Sequence, residues 1–244
     1  MKPRGNSGID APWVPWLWIG IAVASTAIAV AFGLWHADWW IVALAWYFAA
    51  CTLVYLLGAG LHWYASRQGK FVIWNRLLRD VSLTRGDRVL DLGCGRGAVA
   101  IMAAARFPEA SVTGIDLWRP GDQSGNSRAA AEANAALNDL RDRLTLDTGD
   151  MVRLPYPDNT FALITASLSL HNIPTVEGRR AAVQDAVRVL VPTGRILIID
   201  IQRTREYAAE LRQLGLTVIG PARLGWRSWW TGPWMAASEV DATR

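Results

Sequence analysis

The stretch Arg88-Val-Leu-Asp-Leu-Gly-Cys-Gly-Arg-Gly-Ala98 decides the fold of this chain. Val89, Leu90 and Leu92 make a short apolar strand, and Gly93, Gly95 and Gly97 follow it, where a backbone without Cβ atoms turns tightly and lets a ligand approach. The alanine-rich run Val99 to Arg106, stopping before Pro108, then reads as a helix whose N-terminus faces that turn. Strand, glycine turn and helix together form a nucleotide-binding unit. Gly93, Gly95 and Ala98 also satisfy the G-x-G-x-x-A spacing of nicotinamide and flavin folds, so the turn alone does not choose between cofactors.

The neighbouring residues choose. Asp91 stands inside the strand, two residues before the first glycine, where a dinucleotide fold wants an apolar residue and where a carboxylate can meet an ammonium group. The run Asp91-Leu92-Gly93-Cys94-Gly95-Arg96-Gly97 resembles the first motif of class I S-adenosylmethionine-dependent methyltransferases. A second strand, Ser111 to Ile115, ends in Asp116, and a third, Arg143 to Asp147, precedes Gly149-Asp150-Met151. A fourth, Phe161 to Ser167, follows the turn signal Pro155-Tyr156-Pro157-Asp158-Asn159. After it come a helix from about Val176 to Leu190, the turn Pro192-Thr193-Gly194 and a strand Arg195 to Asp200. In this order the segments resemble the family's strands over roughly the last two thirds of the chain.

The resemblance implies an α/β Rossmann-like fold, a seven-stranded sheet with helices on both faces, and S-adenosyl-L-methionine as cofactor, released as S-adenosyl-L-homocysteine. Carried over residue by residue, it places Asp91, Gly93, Cys94, Gly95 and Gly97 at the methionine portion, and Asp116 and Leu117 at the ribose. Asp150 and Met151 fall at the adenine, and Ser167 at the sulfonium side. Asp150 also suits an ordinary Gly-Asp turn. His171, just beyond the fourth strand, is the candidate general base, because imidazole titrates near neutrality; a plain hydrogen-bonding role is the alternative.

Apolar residues are concentrated near the N-terminus of this 244-residue chain, which is 52% hydrophobic. Leu17 to Leu34 and Trp39 to Ser66 carry no charged residue, and at about 1.5 Å per residue each reaches across a hydrocarbon core of about 30 Å. Trp13, Trp16 and Trp18, then Trp35, Trp39 and Trp40, then Trp63 and Tyr64 fall where aromatic belts sit. The expected anchor is a two-helix transmembrane hairpin over residues 1–66, with Ala24, Ala27 and Ala31 as a small-residue stripe for helix contact. A cleaved signal peptide is the alternative for the first segment, since Lys2 and Arg4 precede it. Lys2 and Arg4 before the hairpin, and Arg67, Lys70, Arg76 and Arg79 after it, with only His36 and Asp38 in the connection, put both ends in the cytoplasm by the positive-inside rule.

Residues 67–84 read as a juxtamembrane amphipathic helix that lies on the bilayer, its basic residues meeting lipid phosphates, or caps the catalytic sheet. The resemblance implies that residues 85–244 form the methyltransferase domain. Two further segments look directed at a substrate. The polar loop Trp118 to Ser127 follows the ribose acid, with Asn126 or Ser127 as an alternative helix cap, and the tryptophan-rich run Leu224 to Trp234 suits a cleft, a sheet edge or, preferably, the membrane.

The net charge of +4 suits a membrane surface, and no nucleic-acid-reading motif is present. Cys51 and Cys94 have no evident disulfide partner, and His36, His62 and His171 are scattered without ligand spacing, so no metal site is expected. The expected activity is methyl transfer to a small-molecule or lipid-like acceptor, a thiol, phenol, quinone-like ring or lipid amine; a membrane sensor that binds the cofactor without turnover is the alternative. Nothing in the sequence specifies the oligomeric state.

Overall fold

In the computed structural model, which describes residues 2–35 and 38–244, seven strands form one mixed sheet in the order β3-β2-β1-β4-β5-β7-β6. The strands are β1 Arg88–Leu92, β2 Ser111–Asp116, β3 Leu144–Thr148, β4 Phe161–Ser167, β5 Leu190–Asp200, β6 Thr217–Arg223 and β7 Ser238–Thr243. β1 to β5 run parallel, and β7 enters antiparallel between β5 and β6. The chain starts at the centre, moves outward to β3, then crosses back to β4, so the order reverses between β1 and β4. A crevice opens at the strand C-termini where such a reversal occurs.

Alternation along β1 separates the two cores. Val89 packs into one with helix α4 (Ala98–Arg106), whereas Leu90 and Leu92 pack into the other with α6 (Val176–Val189) and α7 (Thr204–Gln213). The expected turn at Pro192-Thr193-Gly194 lies within β5 as a bulge: pairing with β4 jumps from Phe161 opposite Leu190 to Leu163 opposite Arg195. Pro192 has no N–H to give the ladder, which is why the irregularity is tolerated there. Helix α5 (Arg128–Leu137) begins at Ser127, whose hydroxyl accepts the Ala130 N–H, so the helix-cap reading of this serine holds.

Two long apolar helices precede the sheet, α1 (Trp13–Trp35) and α2 (Trp39–Tyr64). Both are long and apolar enough to cross a membrane, and only 11% of each one's most apolar window is buried by the rest of the protein. They meet along Trp18, Ala22, Ser25, Ala29 and Phe32, with Thr26 and Thr52 hydroxyls 3.2 Å apart and Phe32 stacked on Phe48. The expected stripe Ala24, Ala27 and Ala31 faces outward instead. Residues spaced alternately by four and three define the contacting face, and the alanines lie off it. His36, counted in the charge argument, lies outside the described residues.

Helix α2 does not end at the sheet. It continues through a π-helical turn, Ala65–Gly69, into α3 (Lys70–Leu77) and a 3-10 turn. Phe71, Ile73, Trp74, Leu77 and Leu78 are buried in the sheet's core, so the apolar face of this segment caps the catalytic domain. Lys70 is equally buried and pairs with Asp10 at 2.9 Å, which removes it from the basic residues expected to face lipid. The tryptophan-rich segment between β6 and β7 fastens the hairpin from the other side. Trp226 stacks on Tyr64 with ring centres 5.0 Å apart, and Trp234 lies parallel to Trp18 at 6.2 Å.

Candidate functional site

A cavity of about 570 Å³ opens at the C-terminal ends of β1, β2 and β4. The glycine turn forms its floor. Gly93, Gly95 and Gly97 all have positive φ, and a Cβ on Gly93 would collide with Ser169. The Gly93 and Cys94 N–H groups both donate to the Ile115 carbonyl, at 2.9 and 3.2 Å, which ties the turn to β2. Of the turn residues singled out above, Gly97 does not line the cavity; its left-handed backbone starts α4. Cys94 lines it, yet its sulfur fills the space a side chain on Gly114 would need, and burial pushes the thiol well above its ordinary value. Its side chain packs against β2 as a neutral thiol.

Asp91 is 1% exposed and lines the cavity. Its carboxylate accepts from the Thr165 hydroxyl at 2.7 Å and from the Ala100 N–H in the first turn of α4 at 3.0 Å. Burial outweighs both bonds and pushes its pKa up to about 7. Asp116, at the end of β2, accepts the Gly95 N–H at 2.8 Å on one oxygen and the Trp118 N–H at 2.6 Å on the other. The Asn126 amide also donates to the second oxygen at 3.4 Å, so the oxygen that holds Gly95 keeps the greater acceptor capacity.

Leu117, Asp150, Met151, Ser167 and His171 also line the cavity. Asp150 accepts the Val152 N–H at 3.0 Å, so it makes the local turn while facing the site. The fully buried Trp74 of α3 donates its indole N–H to the Ser167 hydroxyl at 3.0 Å. The cap under the hairpin thereby fixes a residue of the site.

Five residues of this constellation were not recognised from the sequence. Asp200, at the end of β5, holds His171: its carboxylate lies 2.6 Å from the ring Nδ1 and accepts the backbone N–H of His171 at 3.2 Å and of Ile201 at 2.7 Å. An acceptor so placed makes Nδ1 the protonated nitrogen and leaves the Nε2 lone pair free. The parity of β5, which ends on an acid beside the loop after β4, was the available signal.

The others come from the N-terminal segment and its contacts. Asp10 accepts from Ser66 at 2.7 Å, from Lys70 at 2.9 Å and from Gln123 at 2.9 Å, while its carbonyl lies 2.8 Å from Nε2 of His62. Burial raises its pKa, but the Lys70 ammonium and these hydrogen bonds outweigh it and hold the carboxyl below the ordinary value. Asp10, His62, Lys70 and Gln123 all line the cavity, so two of the scattered histidines, His62 and His171, share one site. The polar loop Trp118 to Ser127 is clamped by the N-terminal segment, with Ala11 N–H on the Asp122 carbonyl at 3.1 Å and Ser124 N–H on that of Ile9 at 3.0 Å.

Residues 89–194 match the family model described as "Methyltransferase domain". Over this segment the chain is similar to methyltransferase domains. Among curated relatives, the 27-O-demethylrifamycin SV methyltransferase of Amycolatopsis mediterranei is 34% identical over 169 residues, 58% of this chain and 58% of that protein. A ubiquinone/menaquinone biosynthesis C-methyltransferase of Dinoroseobacter shibae is 31% identical over 149 residues, 61% of this chain and 52% of its own length. The chain thus spans little more than half the length of these relatives. Among solved structures, a SAM-dependent methyltransferase from Aquifex aeolicus superposes with a TM-score of 0.55 at 18% identity, covering 70% of this chain and 88% of the other, which establishes the shared fold.

The cavity fits S-adenosylmethionine by its own chemistry. A carboxylate whose pKa is pushed up by burial, Asp91, suits the cofactor's ammonium. An acid at the end of β2 suits vicinal hydroxyls, and the cavity of about 570 Å³ that Asp91 and Asp116 both line has room for the chain between them.

Proposed function

We propose that this protein is a membrane-anchored S-adenosylmethionine-dependent methyltransferase acting on a small apolar or amphipathic acceptor. In it, Asp91 and the turn at Gly93, Cys94 and Gly95 hold the methionine end, Asp116 and Leu117 the ribose, Asp150 and Met151 the adenine, and Ser167 the sulfonium side. Bound there, the cofactor supplies an electrophilic methyl group for in-line displacement. What the chain supplies is alignment, exclusion of water and a place for the acceptor's proton.

His171 is the group that takes that proton, and the observation carrying the proposal is its fixed ring. With Nδ1 held by Asp200 at 2.6 Å, the Nε2 lone pair is free for an acceptor in the same cavity that holds the cofactor motifs. A buried carboxylate also stabilises the imidazolium formed when the proton arrives.

The anchor is the α1–α2 hairpin, both of whose ends face the cytoplasm. The outward apolar surface of the two helices supports this, with Leu34, Trp39, Trp46 and Leu57 more than half exposed. The relatives' printed names, which speak of demethylrifamycin SV and of ubiquinone and menaquinone biosynthesis, support a small-molecule acceptor such as a quinone-like ring over a protein or nucleic acid.

The test is radiolabelled methyl transfer by the full chain in nanodiscs, with thiol, phenol, quinol and lipid-amine acceptors, alongside calorimetric binding of S-adenosylhomocysteine. Product with one acceptor class and cofactor binding together support the proposal. Binding without product from any class overturns turnover in favour of a sensor.

A further inference from the structure

The cavity is larger than the cofactor motifs account for. Beyond the glycine turn and the ends of β2 and β4, its wall is made by Trp13 and Val14 at the start of α1, His62 near the end of α2, and Trp230 and Met235 from the segment between β6 and β7. None of these belongs to a motif that binds methionine, ribose or adenine, and three stand at the base of the hairpin. Trp13 is 62% exposed, whereas Val14, His62 and Trp230 are buried, so the wall leads from the hairpin's surface inward.

Two polar atoms in this wall are buried without a hydrogen-bond partner, the Trp230 indole nitrogen and Nδ1 of His62, whose Nε2 donates to the Asp10 carbonyl so that Nδ1 carries the lone pair. The Trp230 ring meets His62 edge to face at 5.3 Å. An indole N–H only donates, so the atom that satisfies it is an acceptor, an oxygen in an otherwise apolar and aromatic wall. An ammonium group can donate to His62 Nδ1 but has no lone pair for Trp230, and a thiol is a poor acceptor, whereas a hydroxyl both accepts from the indole and donates to the imidazole. A phenolic or quinol-type oxygen on a flat ring satisfies the donor and packs against the aromatic wall.

We propose that this half of the cavity is the methyl-acceptor site, that it takes an oxygen-bearing aromatic ring with an apolar tail, and that the acceptor enters at the hairpin base from the membrane interface. The proposal rests on the methyltransferase reading above and narrows it: the hairpin forms part of the substrate site. The Trp230 N–H orients the ring, and Trp13 and Val14 line the way in for the tail.

The experiment uses the full chain in nanodiscs, loaded with S-adenosylhomocysteine, and measures saturable binding of 4-decylphenol relative to empty nanodiscs. Trp230→Phe keeps the ring and removes the N–H, and is expected to weaken binding about five- to tenfold. Val14→Trp fills the wall and is expected to abolish saturable binding. S-adenosylhomocysteine affinity should stay within about twofold in both variants, which also reports that they are folded. Replacing the probe with 4-decylaniline tests the other polarity and is expected to relieve the dependence on Trp230.

Unchanged 4-decylphenol binding in both variants, or no saturable binding by the wild type, overturns the proposal. Binding that depends on Trp230 without any methyl transfer leaves this site standing and removes turnover. Methyl transfer to a water-soluble acceptor with unaltered KM in Val14→Trp keeps the enzyme and removes the site.

Discussion

Asp91→Asn should strengthen the cofactor-free protein and weaken its grip on the cofactor, and the two effects should share one pH dependence. Asp91 is buried, and its pKa rises from 3.8 to about 7 in the folded chain. The folded protein therefore holds a proton that the unfolded chain releases, so stability falls as pH climbs through this window and levels off above about 7. Three units correspond to about 4 kcal/mol at most. Asparagine carries no charge at any pH and escapes this loss.

Its hydrogen bonds can be remade. The amide oxygen takes the Ala100 N–H, and the amide nitrogen donates to Thr165 Oγ1, whose own proton turns to the Leu90 carbonyl 3.5 Å away. At about pH 3.5, below both values, the variant and wild type should melt together. At pH 8 the variant should melt about 5–10 °C higher, allowing for incomplete rearrangement.

Cofactor binding should move the opposite way. Only the ionised Asp91 attracts the ammonium, so wild-type affinity for S-adenosylhomocysteine should rise about tenfold from pH 6 towards a plateau near pH 7.5. Asp91→Asn should show a flat profile, about 10- to 100-fold weaker at the plateau, the value of a charge-assisted hydrogen bond. Calorimetric titration and thermal melts of the full chain in detergent measure both. Equal melting at pH 8 together with parallel binding profiles would refute the assignment of Asp91 to the cofactor's ammonium.

Three further outcomes are expected. His171→Ala should lower turnover about a hundredfold with S-adenosylhomocysteine affinity nearly unchanged, and Asp200→Asn should lower it less while displacing the acid limb of the pH–rate profile; profiles identical to wild type would remove the pair from catalysis. Asp10→Ala leaves the buried Lys70 ammonium without its carboxylate and should cost about 3 kcal/mol, read as a fall in melting midpoint, whereas a fall of under a degree would make the Asp10–Lys70 pair dispensable. The protein should pellet with membranes through high-salt and carbonate washes, because screening over about 8–10 Å releases only proteins held by charge; appearance in the supernatant would sink the anchor.

The elements legible in the sequence are those specified locally. The glycine turn, Asp116 and Asp150 each sit at the end of an apolar strand, and strand ends on one side of a parallel sheet converge whatever the rest of the chain does. His171 was visible for the same reason. Asp200 was not singled out, because its role depends on β5 lying beside β4, a pairing that brings together residues 29 apart in the chain. The helix contact was misread because Ala24, Ala27 and Ala31 form a regular stripe by themselves, whereas the true face mixes Trp18, Ala22, Ser25 and Phe32 in sizes that only the partner helix explains. Cys94 sits in the right turn with its side chain against Gly114, a distinction between backbone and side chain that a motif does not carry.

Least legible was the part that joins the helical hairpin to the sheet. Asp10 reaches Gln123 across 113 residues and Ser66 across 56; no local pattern marks Asp10 or Ser66, and Gln123 stood out only as one member of a polar loop. The joint has a mechanical consequence. Lys70 and Ser66 stand on the helix leaving the hairpin, Asp10 on the segment entering it, and Gln123 in the loop after the ribose acid, where its amide oxygen also accepts the Arg96 N–H at 3.0 Å. Displacing the hairpin base therefore pulls on the glycine turn through a chain of hydrogen bonds, each link of which is buried or half-buried. Conversely, a cofactor that stabilises the turn and the loop after β2 stabilises the attachment of the hairpin, because binding free energy is shared by everything the bound state holds in place. Removing residues 1–66 would for that reason cost the sheet domain more than two helices: it would take Asp10 and His62 from the cavity, strip the buried Lys70 of its carboxylate and take from Gln123 and Trp230 the groups they meet.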